Sequence, residues 1–122
     1  PEQKEYIDST LDSLNKYDET YMRSLVNIGN TDIFESSISA LITELQVSKP
    51  SLSQHSNKLK LHLRVAMESY YSAVNIFEEY LVDEVCIYNG RFPKYRPILR
   101  VASKIGLNVK VYEYPYSSYV FN

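Results

Sequence analysis

Between residues 84 and 114 the rhythm of the apolar side chains changes twice, and that change restricts the fold more than any other feature. Glu84-Val85-Cys86-Ile87-Tyr88 is β-prone and mostly apolar, the pattern of a buried strand. Asn89-Gly90-Arg91-Phe92-Pro93 then reads as a turn. A helix returns over residues 95–104, with Ile98, Leu99, Ala102 and Ile105 apolar. Pro97 suits the first turn of that helix and Gly106 its end. Val109-Lys110-Val111-Tyr112-Glu113-Tyr114 is a second strand. Strand, turn, helix, turn, strand in about thirty residues predicts a βαβ unit with parallel strands and a right-handed crossover.

Everything before residue 83 is helical in rhythm. Ile7, Leu11, Leu14, Tyr21, Leu25 and Ile28 form one amphipathic stripe over residues 2–28, and Gly29 and Asn30 suit its exit. Thr31 and Asp32 are placed to cap a second helix, with Glu35 completing a capping box. Its apolar face is Phe34, Ile38, Leu41, Ile42 and Leu45, and Lys49-Pro50 breaks it. A third helix starts at Ser51 or Ser53 and carries a stripe from Leu59 through Leu63, Met67, Tyr70 and Phe77 to Leu81. The fold class is therefore α/β, with about three N-terminal helices followed by one βαβ unit. Residues 1–82 form the helical region and residues 83–122 the βαβ unit with a truncated tail. Together they make one incomplete domain, because two parallel strands are a poor sheet alone and the tail ends on an apolar, strand-like note. The natural chain is expected to continue past Asn122.

The net charge of −2 and pI of about 5.7 argue against a general nucleic-acid binder. Two local basic clusters stand out: Lys58, Lys60 and Arg64, and Arg91, Lys94, Arg96 and Arg100. The single cysteine, Cys86, allows no internal disulfide and reads as a small buried hydrophobe. His55 and His62, seven apart, lack the spacing of three or four that metal ligation on a helix wants. No run of apolar residues is long enough for a transmembrane helix. Of the twelve tyrosines, five lie between Tyr95 and Tyr119. They suit the wall of a polar-ligand groove or half-buried packing at helix seams.

Ligands in α/β sheets gather at the carboxyl ends of strands. That rule selects Asn89, Gly90 and Arg91 after the first strand and Glu113 after the second. Asn89 offers an amide, Gly90 a close backbone approach or a positive φ, and Arg91 a planar fork for a carboxylate, phosphate or vicinal hydroxyls. Glu113 can accept from sugar hydroxyls or act as a base. The same residues also fit a plain turn in which Arg91 pairs with Glu113 or caps a helix end. Glycine-rich phosphate loops are absent from the sequence.

The stretch Val85-Cys86-Ile87-Tyr88-Asn89-Gly90-Arg91-Phe92 resembles the "hydrophobic strand, then N-G-R-F" block of capsular polysaccharide glycosyltransferases. In that family a helix with an Arg-x-hydrophobic-hydrophobic pattern, a glycine and a strand ending in Tyr/His-Glu follow. Arg96, Ile98, Leu99, Gly106, Tyr112 and Glu113 match them here, and the tail over residues 118–122 looks like the next aromatic block. The sequence departs from the family at Tyr114 and Pro115, where an Arg-Gly pair is usual. The resemblance spans about forty residues. It implies a partial Rossmann-like half of a GT-B fold, on the acceptor side and inactive alone, serving a bacterial capsule or lipopolysaccharide glycan. Asn89, Gly90, Arg91 and Glu113 would face the glycan acceptor. The nucleotide-sugar donor would sit on the other half, with no cofactor or metal held by this chain and no catalytic residue singled out. A cytoplasmic enzyme, peripheral at the inner membrane face, is the implied location. The alternative is a non-catalytic helical interaction module that docks a partner or a second copy of itself.

Overall fold

A computed structural model describes residues 2–14, 19–27, 31–113 and 117–121. Four helices precede the first strand: α1 (Glu2–Asp12), α2 (Glu19–Val26), α3 (Ile33–Leu45) and α4 (Ser56–Glu79). Then come β1 (Glu84–Tyr88), α5 (Arg96–Lys104), β2 (Asn108–Glu113) and β3 (Ser117–Phe121). The strand order is β1-β2-β3, with β1 parallel to β2 and β3 antiparallel to it. The chain is thus a mixed α/β protein containing the parallel pair that the sequence predicts. Only three residues separate β2 from β3, too few for a crossover, so β3 returns antiparallel.

The stripe over residues 2–28 belongs to two helices, not one. Helix α1 stops where the Ser13 hydroxyl donates to the Thr10 carbonyl at 2.7 Å, an alternative partner that competes with the helical ladder. Leu14, just past the end, is buried. The break shifts the register, so α2 buries Met22 and Val26 and leaves Tyr21 exposed. The proposed exit at Gly29 and Asn30 lies outside the described residues. Helix α1 runs antiparallel to α4: Gln3 exchanges two amide bonds with Asn75, and Arg64 donates to Asp8 at 2.7 Å.

The capping box at α3 is not formed. Asp32 occupies the N-cap position in the left-handed region, φ 58°, and its side chain makes no capping bond. Asn27 supplies the cap from the end of α2, its Oδ1 accepting the Phe34 N–H at 2.7 Å. Glu35 turns instead to Arg23 and to Asn27 Nδ2, the latter at 2.8 Å. Burial acts to raise the Glu35 carboxyl, but the hydrogen bonds from Arg23 and Asn27, its own backbone N–H and the Arg23 charge outweigh it. They hold the group below the ordinary glutamate range. Its contribution to stability is therefore complete above the unfolded value near ~4.3 and is lost as pH falls through the folded value. Acid titration followed by circular dichroism checks this: Glu35→Gln is expected to flatten the loss of stability below about pH 5. The exposure of the pair keeps the effect small.

Helix α4 is the long element, at 24 residues about 36 Å. It starts at Ser56, later than the sequence suggests, and ends before Leu81, which is fully exposed and outside the stripe. Its inner face, with Leu59, Leu63, Ala66 and Met67, closes a helical core around Phe34, Leu41, Ile7 and Leu11. Near its far end Phe77 joins a second core made of Ile87, Leu99, Ala102, Val109 and Val111. One helix therefore serves as a wall of both cores.

Helix α5 packs on one face of the sheet. Pro97 sits in its first turn, and Gly106 ends it at φ 85°. The Gly106 N–H donates to Ser103 O at 3.1 Å and the Leu107 N–H to Ala102 O at 3.0 Å, a Schellman closure. The other sheet face is open, and here the reading of β1 as a buried strand fails. Only Ile87 of β1 is buried. Alternation puts Glu84, Cys86 and Tyr88 on the open side, beside Lys110 and Tyr112. Cys86 is exposed for that reason, with its Sγ 3.6 Å from Glu84. A Glu84–Lys110 ion pair at 3.2 Å and an edge-on Tyr88–Tyr112 pair at 5.4 Å line this face. Among the described residues, no helix is long and apolar enough to cross a membrane.

Candidate functional site

The turn after β1 brings Asn89, Gly90 and Arg91 together, each for a different reason. Asn89 takes the left-handed conformation, φ 51°, which asparagine tolerates better than most residues, and its N–H extends the β1–β2 ladder to Tyr112 O at 2.8 Å. Gly90 is buried and does not have positive φ. A Cβ there would stand 2.6 Å from Leu99 Cδ1, so its missing side chain is what lets α5 close onto the strand. The close approach made by Gly90 is to a core leucine.

Arg91 leaves the turn toward α3. Its guanidinium lies over the Phe92 ring, 4.5 Å from the centroid, and Nη2 donates to Thr43 Oγ1 at 3.4 Å. It forms no ion pair with Glu113 or any other carboxylate among the described residues. Glu113 ends β2 on the α5 side of the sheet, exposed, with its backbone paired to Ser117. Three of the four residues selected from the sequence thus share one turn, and Glu113 stands apart at the end of the neighbouring strand.

Arg91 opens onto a crevice of about 110 Å³ between α3 and α5. Asp32, Glu35, Ser36 and Ser39 line it from α3 and its cap, and Arg91, Arg96 and Arg100 line it from the other side. Asp32, Ser36, Ser39 and Thr43 recur at four, three and four, so they form a polar row along α3 distinct from its apolar face. Arg96 and Arg100 are one turn apart on α5. Asp32 Oδ2 accepts from Arg100 Nη2 at 2.6 Å and Nε at 2.7 Å. The Ser36 hydroxyl donates back to Ile33 O at 3.0 Å, while Ser39 makes no hydrogen bond among the described residues. The hydroxyl row on α3 is the part that reading for apolar periodicity overlooks, although its own spacing of three and four carried the signal.

The two basic clusters fare differently. Arg91, Arg96 and Arg100 converge on the crevice, whereas Lys94 lies over the Tyr95 ring at 5.6 Å. Arg64 is paired with Asp8, and Lys58 approaches Glu44 at 3.7 Å, so these two members of the first cluster serve helix packing. A larger groove, about 380 Å³, runs between α1 and α4. Its amides, Gln3 and Asn75, are spent on each other. Burial, helped by Tyr6 and Tyr70, pushes the Tyr71 hydroxyl there above its ordinary value, so it stays protonated at neutral pH. Among the described residues no group of three or more His, Cys, Asp or Glu could hold a metal ion. No family model matches the sequence, and no curated protein or solved structure matches it.

Proposed function

We propose that this chain is the acceptor-side part of a capsule-type glycosyltransferase, a partial Rossmann-like half of a GT-B architecture. It would receive a capsule or lipopolysaccharide glycan, while the nucleotide sugar binds the other half. The observation that carries the reading is the crevice at the carboxyl end of β1. There the Arg91 fork, held on Phe92, meets the arginines of α5 and the serines of α3. Guanidinium and hydroxyl groups converging at a strand's carboxyl end suit a polyhydroxyl ligand. The resemblance around Asn89, Gly90, Arg91, Arg96 and Glu113 points the same way.

Capsule-type oligosaccharides titrated into the 122-residue chain, followed by amide NMR, test the proposal. Binding is expected to shift the amides of residues 36–43 and 89–100. Arg91→Ala is expected to weaken it at least tenfold, about 1.4 kcal/mol, with the fold intact because Arg91 is exposed. The chain alone should transfer no sugar. An oligosaccharide that binds equally well to Arg91→Ala, or fails to bind at all, overturns the reading.

A second reading, a helical interaction module, draws on a different observation. Leu61, Val65 and Ile76 run along the solvent face of α4, with Leu61 64% and Ile76 48% exposed, and Tyr80 and Leu81 continue past its end. Sedimentation in the same experiment separates the two. A monomer that binds glycan supports the transferase reading, and a dimer dispersed by Leu61→Glu supports the module.

A further inference from the structure

We infer that the crevice between α3 and α5 is an oxyanion site, taking a carboxylate or phosphate substituent of the ligand. The inference rests on the acceptor reading for its biological setting, but its chemistry stands on the charges that line the crevice. Three guanidinium groups and two carboxylates do so. Both carboxylates are engaged. Asp32 is bonded twice by Arg100, and Glu35 is held by Arg23, which approaches from α2. Arg91, which pairs with neither, therefore leaves the lining with surplus positive charge.

Arg91 also has donors to spare. A guanidinium carries five N–H groups in a fixed plane. Its contacts within the described chain are one long bond to Thr43 and the face of Phe92. Stacking fixes the plane without using the donors, which is the arrangement that grips a two-oxygen anion bidentately. Ser39 adds a hydroxyl with no other hydrogen bond among the described residues. The volume fits a substituent and not a whole ligand. About 110 Å³ is well below the ~300–1,000 Å³ of pockets that enclose drug-sized molecules.

The test titrates the 122-residue chain, at constant ionic strength, with inorganic phosphate, with glucuronate and with glucose, following the amides of residues 36–43 and 91–100. Phosphate or glucuronate is expected to shift them saturably, and glucose to leave them in place. Arg91→Ala is expected to weaken anion binding at least tenfold, and Ser39→Asp, which sets a carboxylate in the crevice, to abolish it. The stronger of the two anions identifies the substituent. Anions that leave these amides unmoved, or that bind Arg91→Ala and Ser39→Asp as tightly as the parent chain, overturn the inference. Anion binding without any oligosaccharide binding would retain the site and remove the acceptor reading. Binding of a neutral oligosaccharide without either anion would do the reverse.

Discussion

Phe34→Ala is expected to destabilise the chain by about 3–5 kcal/mol, lowering the thermal midpoint by roughly 10–20 °C. Phe34 is 1% exposed and the largest of the fully buried side chains. Its ring fills the junction of α2, α3 and α4, and the Arg23 guanidinium covers it at 4.8 Å. Truncation therefore removes apolar burial, leaves a cavity and strips a cation of its aromatic face. The Asn27 cap on the Phe34 N–H survives, because it uses the backbone. The loss should thus appear in the global transition and not as fraying of α3 alone. Calorimetry with circular dichroism at 222 nm measures both. A loss under 1 kcal/mol would mean that the junction collapses around the missing ring.

The second large effect is a coupling between Gly90 and Leu99. Leu99→Ala should cost about 2–5 kcal/mol, since Leu99 is buried where α5 meets the sheet. Gly90→Val should cost about 1–3 kcal/mol by overpacking, because even a Cβ would stand 2.6 Å from Leu99 Cδ1. Buried among Ile87, Val109 and Val111, that methyl has little room to swing aside. In the double variant the valine enters the space the leucine left. The combined loss should fall short of the sum by at least about 1 kcal/mol. Urea titrations of the four proteins yield the cycle, and additive losses would show that the turn yields without touching α5.

These residues show where sequence reasoning succeeds and where it stops. Gly106 was legible as a helix end because a left-handed exit is a local demand, and the Schellman closure meets it locally. The parallel pairing of β1 and β2 was legible from a strand-helix-strand rhythm of fixed length. The capping box at Asp32 does not form because two partners compete for its carboxylate. A capping bond would have been local, but Arg100, 68 residues away, takes the side chain and leaves the cap to Asn27. Cys86 is exposed, against its sequence pattern, for a related reason. Its apolar neighbours suggest a strand covered on both faces, and nothing local reports that one face of the sheet is open. The site was half legible. Asn89, Gly90 and Arg91 stand out as a turn after a strand, whereas Ser36 and Ser39 join them only once α3 packs beside α5.

The antiparallel seating of α1 on α4 bears on how the chain leaves the ribosome. Gln3 meets Asn75, 72 residues later, and Asp8 meets Arg64, 56 residues later. At ~5–20 residues per second, Ile7 and Leu11 wait roughly 3–15 s before the helix that buries them has been synthesised. Through that interval the nascent chain carries an unsheltered apolar stripe, so its early fate is shared between α4 and whatever chaperone reaches the stripe first.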